Sequence, residues 1–253
     1  MAVHADSEAK LRRRVYADGE YVWPRRAQKA KVLAEWIDQL FPGRTGLRVV
    51  DFGCADGAVP VLLLRSSVGA RIAELTGITL LDYNPLPDKP AHQHPRFRRL
   101  VADLEQPIDH LRLDVGEYDL VTATGFFHYL RRPEAAFAHA RALLSETGYL
   151  LMTAPARWLL WLRQRSIPGL HEPNTRIRHR VSPAAWEQLA GTCGFRAIHR
   201  QGVQWAGTAS TVGVERWLRR HRLLSSLAGS YLLVLSPTRQ TRYGDGARHG
   251  EAV

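Results

Sequence analysis

The stretch Leu47 to Gly57, LRVVDFGCADG, constrains the fold more than any other part of the chain. Leu47, Val49 and Val50 form a short apolar run suited to a buried strand. Asp51 ends that run, and Gly53 and Gly57 bracket a tight turn. A second apolar run, Val59 to Leu64, then opens a helix. Strand, glycine turn and helix together bring a nucleotide-like ligand to the carboxyl edge of a parallel sheet. Glycine there permits unusual backbone angles and lets a ligand approach the main chain.

The acids in the turn select the ligand. A dinucleotide turn requires Gly-x-Gly-x-x-Gly and aims a helix N-terminus at pyrophosphate. The corresponding residues are Gly53, Cys54, Ala55, Asp56, Gly57 and Ala58, so alanine replaces the second glycine. Asp51 and Asp56 would repel an anion and attract a cation. S-adenosylmethionine carries a sulfonium, an ammonium group and no phosphate. The run resembles the first motif of the class I S-adenosylmethionine-dependent methyltransferases, an acid followed by a glycine-rich turn. Ala55 departs from the commoner glycine. That resemblance implies that Asp51, Gly53, Cys54, Ala55 and Gly57 border the cofactor.

With 253 residues the chain has length for one large domain. No apolar stretch reaches the roughly 18 residues of a membrane span. MAVHADSEAKLRRR lacks a signal peptide's apolar core, so a cytoplasmic protein is expected. Two cysteines, Cys54 and Cys193, supply neither a disulfide framework nor metal-ligand spacing, and no metal is expected. The net charge of +11 raises nucleic acid as a partner. The excess is nearly all scattered arginine, without a basic tract or RNA-binding signature, so a nucleic-acid partner is not expected.

Before the first strand, Ala30, Leu33, Ala34, Ile37, Leu40 and Phe41 recur at helical spacing over Ala27 to Phe41. Phe41-Pro42-Gly43 ends the helix. The preceding segment, Tyr16 to Pro24, is aromatic without a clear period. It suits either a lid over the cofactor or packing for the helix. Residues 1–45 are thus an N-terminal segment.

Leu75 to Leu81 reads as the second strand, ended by Asp82 and the turn Asp82-Tyr83-Asn84-Pro85. A carboxylate at this place in a doubly wound fold accepts from both ribose hydroxyls. Asp82, with Tyr83 beside it, is preferred over Thr79, which a Gly-Ile-Asp alignment would select. Arg98 to Ala102 is the third strand. By the resemblance, Asp103 accepts from the adenine amino group and Leu104 packs on the ring; alternatively, Asp103 caps the turn that follows.

The sequence YDLVTATGFFHYL gives the fourth strand, Tyr118 to Thr124, and resembles the family's fourth motif. Thr122, Thr124, Gly125 and Phe126 then lie at the strand's carboxyl end beside the sulfonium, and His128 takes the place of the first histidine in the common His-His-Leu ending. His128 is the candidate general base for a hydroxyl acceptor, or else packs the helix that follows. A helix over Ala135 to Leu144, a fifth strand over Gly148 to Ala154, a helix capped by Ser182 and Pro183, a sixth strand over 195–203 and a last strand over Gly229 to Ser236 complete the chain.

The resemblance covers residues 46–236, with substrate-side insertions at about 156–181 and 204–228 and a disordered tail over 237–253. It is nearest to the bacterial small-molecule methyltransferases. It implies an α/β, Rossmann-like doubly wound sheet of seven strands, mostly parallel with one antiparallel strand, and helices on both faces. The activity implied is methyl transfer from S-adenosylmethionine to a small molecule. Tyr16, Tyr21, Trp23, Trp158, Trp161, Trp205 and Trp217 offer apolar walls for an acceptor. Arg157, Arg163, Arg176, Arg178 and Arg180 offer forks for an acidic group. A nicotinamide-dependent oxidoreductase, the main rival, needs room for phosphate and a Tyr-x-x-x-Lys pair that is absent. A nucleic-acid methyltransferase lacks its Asn/Asp-Pro-Pro-Tyr/Phe run, because Ala123-Thr124-Gly125-Phe126 stands there.

Overall fold

The computed structural model describes residues 19–80, 94–156, 178–179, 181–203 and 230–238. Helix α1 spans Gly19–Leu40, and strand β1, Leu47–Phe52, follows it. The helix therefore begins two turns before the apolar repeat and takes in the Tyr21–Pro24 segment, where no apolar stripe signals it. It ends where the sequence indicates: the Phe41 N–H donates to the Ile37 carbonyl at 3.0 Å, and Gly43 turns the chain at φ +68°.

The remaining elements are α2 (Ala58–Leu64), β2 (Ile72–Thr79), β3 (Phe97–Val101), β4 (Tyr118–Thr124), α3 (Pro133–Leu143), β5 (Leu144–Pro155), α4 (Pro183–Thr192), β6 (Phe195–Val203) and β7 (Ser230–Pro237). The strands form one sheet of seven in the order β3-β2-β1-β4-β5-β7-β6. Only β7 runs antiparallel to its neighbours, as expected. The order reverses between β1 and β4, which opens a crevice at their carboxyl ends.

Alternation along each strand divides the core into two layers. Leu47, Val49, Leu120, Leu151 and Val234 face α1 and α2. Val50, Val121, Met152, Leu233 and Leu235 face α3 and α4. Both layers are dry, so the sheet is fixed from both sides. At the end of the sheet away from the crevice, buried Asp119 accepts from the Arg48 N–H at 2.9 Å and from the Arg44 guanidinium at 2.5 Å. That contact holds the start of β4 beside β1.

β1 runs on past Asp51 to Phe52, β3 and β7 shift by one residue from the sequence reading, and two strands differ by more. The second strand is Ile72–Thr79 rather than Leu75–Leu81, and Leu80 is a bend with 60% of its surface exposed. The last partners are Phe52 on β1, opposite Ile78, and Val101 on β3, opposite Thr79, so no strand remains to pair with Leu80. Strand β5 begins at Leu144, directly from α3, because Leu144 pairs with Tyr118. The Ser182 cap is as expected: its hydroxyl accepts from the Ala185 N–H at 3.2 Å. No described helix is long and apolar enough to cross a membrane. The expected tail and most of both insertions lie outside the described residues.

Phe137 of α3 is fully buried between Phe127 and Phe195. Phe137→Ala should lower stability by about 3–5 kcal/mol in a denaturant titration. A loss below about 1 kcal/mol would contradict the placement of α3 in this layer.

Candidate functional site

The turn after β1 is left-handed at three of its residues: Gly53 (φ +73°), Ala55 (φ +51°) and Gly57 (φ +83°). Main-chain hydrogen bonds hold it to β2, with the Gly53 and Cys54 N–H groups both donating to the Ile78 carbonyl at 2.8 and 3.1 Å. At Gly53 a side chain is also excluded by space, since a Cβ would lie 2.5 Å from the Phe126 ring. Alanine is tolerated at position 55 because the strained angle is supported on both sides by these bonds and by Gly57 N–H to Cys54 O at 2.9 Å. The Cys54 thiol is buried, and burial pushes its pKa well above the ordinary value.

Asp51 lies at the crevice, on the α1 side of the sheet, and is 3% exposed. Its carboxylate accepts from the Thr122 hydroxyl at 2.5 Å across the β1–β4 pair. Burial raises its pKa from 3.8 to about 7, against the opposing effects of the Thr122 hydrogen bond and the Lys29 charge. Asp56 has a different role from the one the sequence suggests. It is ion-paired to Arg26 of α1 and accepts from the Ala58 N–H at the start of α2, so it braces the turn.

Lys29 and Arg26, three residues apart on α1, both reach this site. The Lys29 ammonium donates to the Thr124 carbonyl at 3.4 Å. A Cβ on Gly125 would lie 3.5 Å from that ammonium and 3.9 Å from Cε1 of His128. The ammonium and the imidazole thus both lie within 4 Å of the point where a Gly125 side chain would begin, and Gly125 itself is left-handed at φ +72°. His128 is 2% exposed, with its ring 4.0 Å from the Tyr129 ring. Its carbonyl accepts from the N–H groups of Arg178 and His179.

Other expected site residues are placed as follows. Asp103 Oδ1 accepts from the Glu105 N–H at 2.9 Å, the turn-capping alternative, and Leu104 is buried in the α3–α4 layer. Asp82 and Tyr83 lie outside the described residues. So do Tyr16, Trp158, Trp161, Trp205 and Trp217, together with Arg157, Arg163, Arg176 and Arg180. Arg26 and Lys29 carried no role in the sequence reading, whereas Thr122 stands at the carboxyl end of β4 as expected. For Lys29 the signal was present: it precedes Ala30, Val32 and Leu33 on the face of α1 that packs on the sheet, where a cation needs polar company.

On the same side of the sheet, a narrow recess lies between α1 and the ends of β4 and β5. Its walls are Val32, Leu33, Val203 and Leu232, with Thr124, Thr153 and Lys29 as its polar lining.

A family model described as a methyltransferase domain matches residues 25–200. The chain belongs to the methyltransferase domain family. Its class I, S-adenosylmethionine-dependent character agrees with the sheet order and the acid-and-glycine turn described above. Among curated proteins, the ubiquinone biosynthesis O-methyltransferase of Acinetobacter baylyi is 27% identical over 122 residues, covering 47% of this chain and 48% of that protein. The polyketide synthase ThaQ of Burkholderia thailandensis is 27% identical over 132 residues, 44% of this chain and 6% of that protein. The chain thus spans less than half the length of either relative. Among solved structures, the Burkholderia thailandensis 1,6-didemethyltoxoflavin-N1-methyltransferase, with its substrate and S-adenosylhomocysteine bound, shares the fold. It is 16% identical, with a TM-score of 0.57, and 93% and 90% of the two chains are covered. A chain from the complex of the Haloferax volcanii Trm112 methyltransferase activator with a methyltransferase gives a TM-score of 0.61 at 16% identity, covering 92% and 97%.

The raised pKa of Asp51 has a sign that can be measured. The folded state holds this proton more tightly than the unfolded chain. Between about pH 4 and 7, stability therefore falls as pH rises, and above pH 7 the full cost of the buried carboxylate is present, on the order of 4 kcal/mol. Asp51→Asn should raise the melting temperature at pH 8 by several degrees, with the gain shrinking towards pH 4. A lower melting temperature at pH 8 would contradict the cost assigned to this carboxylate.

Proposed function

We propose that the protein transfers a methyl group from S-adenosylmethionine to an apolar small-molecule acceptor, as a cytoplasmic enzyme. The observation that carries this reading is the buried Asp51 carboxylate, bordered by a glycine turn, at the crevice between β1 and β4. A buried anion with a raised pKa is relieved by a cationic ligand and opposed by a pyrophosphate. The residues thus fit the charge of this cofactor, and the glycines of the turn make room for the Phe126 and Phe97 rings that pack against it.

In this reading Asp51 faces the cofactor's positive charge, and the turn Gly53, Cys54, Ala55 and Gly57 lies along its length. Asp82 and Tyr83 hold the ribose, while Asp103 and Leu104 border the adenine, with one Asp103 oxygen also capping its own turn. Thr124 and Gly125 lie where the reacting carbon and the acceptor meet. When bound, the cofactor supplies an already activated methyl group. The chain's task is then to align an acceptor and exclude water. Helix α1 serves the second purpose, because Arg26 and Lys29 draw it over the crevice. For a hydroxyl acceptor, His128 takes the proton from beside Gly125. The 1,6-didemethyltoxoflavin bound to the toxoflavin enzyme, and the likeness to a methyltransferase of ubiquinone biosynthesis, support a small-molecule acceptor.

A thermal-shift titration tests the cofactor. S-adenosylhomocysteine at a hundredfold excess over its Kd should stabilise the protein by about 3 kcal/mol, and NADH or NADPH should not. Stabilisation by a nicotinamide cofactor alone would overturn the proposal.

A further inference from the structure

The sheet gives Asp51 unequal neighbours. Its register partner on β2 is Gly77, which has no side chain, and a Cβ there would lie 2.6 Å from the Cys54 sulfur. Its partner on β4 is Thr122, whose side chain emerges on the same face of the sheet. Thr122 pairs in turn with Leu151 of β5, a fully buried aliphatic side chain that offers the hydroxyl no competing acceptor. The hydroxyl donates to Asp51 Oδ1 at 2.5 Å, and Thr122 is too deeply buried for water to compete. Among the described residues, no hydrogen bond reaches the other oxygen, Oδ2.

We propose that Thr122 is a positioning residue of the cofactor site: by holding Oδ1, it aims Oδ2 of Asp51 at the cofactor's positive charge. The inference rests on the methyltransferase reading above and adds the residue that makes Asp51 effective. A β-branched side chain on a strand has few rotamers, so the bond fixes the plane of the carboxylate as well as its place. The same bond favours the charged form of Asp51, which burial opposes. The other groups around the carboxylate do not replace it. Lys29 of α1 acts on Asp51 through its charge and donates to the Thr124 carbonyl. Arg26 of α1 is engaged by Asp56 of the turn. The Cys54 thiol stays protonated, because burial and the Asp51 charge both raise its pKa against the pull of Arg99 on β3. His128 meets the site at Gly125, beyond the end of β4. Without the hydroxyl, Asp51 would hold its proton to a higher pH and would be free to rotate.

The test is isothermal titration of S-adenosylmethionine into the unaltered protein and its variants between pH 6 and pH 8.5. Thr122→Val keeps the shape of the side chain and removes the hydroxyl. At pH 7 it should weaken binding about tenfold, the scale of a hydrogen bond to a charged group. The ratio of the two affinities cancels the ligand's own titration. That ratio should shrink as pH rises, because Asp51 then ionises in both proteins, and what remains at pH 8.5 reports the lost aim. Thr122→Ser should recover most of the affinity. In an Asp51→Ala background, Thr122→Val should change affinity by less than about twofold, whereas a packing role would act in both backgrounds. Unchanged affinity in Thr122→Val, a loss that is equal at every pH, a loss that persists in the Asp51→Ala background, or a Thr122→Ser protein as weak as Thr122→Val overturns the proposal and leaves the methyltransferase reading intact. Unchanged affinity in Asp51→Ala alone removes Asp51 from the cofactor's charge, and the proposal with it. Failure of S-adenosylmethionine to bind the unaltered protein overturns both.

Discussion

The site depends on one buried carboxylate. Asp51 stands where the sheet order reverses, almost wholly out of water, and the Thr122 hydroxyl spans β1 and β4 to meet it. The Thr122 hydrogen bond and the Lys29 charge together do not offset the loss of hydration of this carboxylate, which is why its pKa rises. A fold that keeps such a group carries a cost in its ligand-free state, and a cation arriving beside it removes part of that cost. The charge on the ligand and the geometry of the sheet are thereby linked through one residue. The glycines of the turn beside it answer to backbone angle and to packing, because Gly53 and Gly57 are left-handed and lie against the Phe126 and Phe97 rings.

Helix α1 supplies the opposite charge. Arg26 pairs with Asp56, and Lys29 lies against the end of β4, so one helix brings two cations to a site where β1 brings Asp51 and the turn after it brings Asp56. The same helix buries Leu33, Ile37 and Trp36 in the layer beneath it, which fixes where those cations can reach. Its position is therefore set by apolar packing at one end and by charge at the other. Beyond Lys29, the surface under α1 changes from polar to apolar as it passes from β4 to β6 and β7.

Much of this architecture was legible in the sequence. Strands β4 and β6 were recovered to the residue, because Tyr118–Thr124 and Phe195–Val203 are bounded by clear turn and cap signals. Helix α4 was legible from Ser182 and Pro183, which report local backbone geometry directly. The end of β2 was misplaced because Leu80 and Leu81 are apolar, and apolarity alone does not show where the neighbouring strands stop. Asp56 was misread for a similar reason. Its partner Arg26 lies thirty residues away, and no local pattern connects them. The same limit hid Lys29, whose importance arises only when α1 is packed on the sheet. Local signals fix elements and turns, whereas charge pairing between distant elements is a property of the assembled fold.

The central claim is that Asp51 receives the cofactor's positive charge, and proton release measures it most directly. Titration of S-adenosylmethionine at pH 7 in buffers of different ionisation enthalpy counts the protons exchanged on binding. A carboxyl with a pKa near 7 is partly protonated in the free protein, and a cation beside it drives the proton off. The account predicts release of a fraction of a proton, lost in Asp51→Asn. Binding with no proton release, or release that persists in Asp51→Asn, would contradict it.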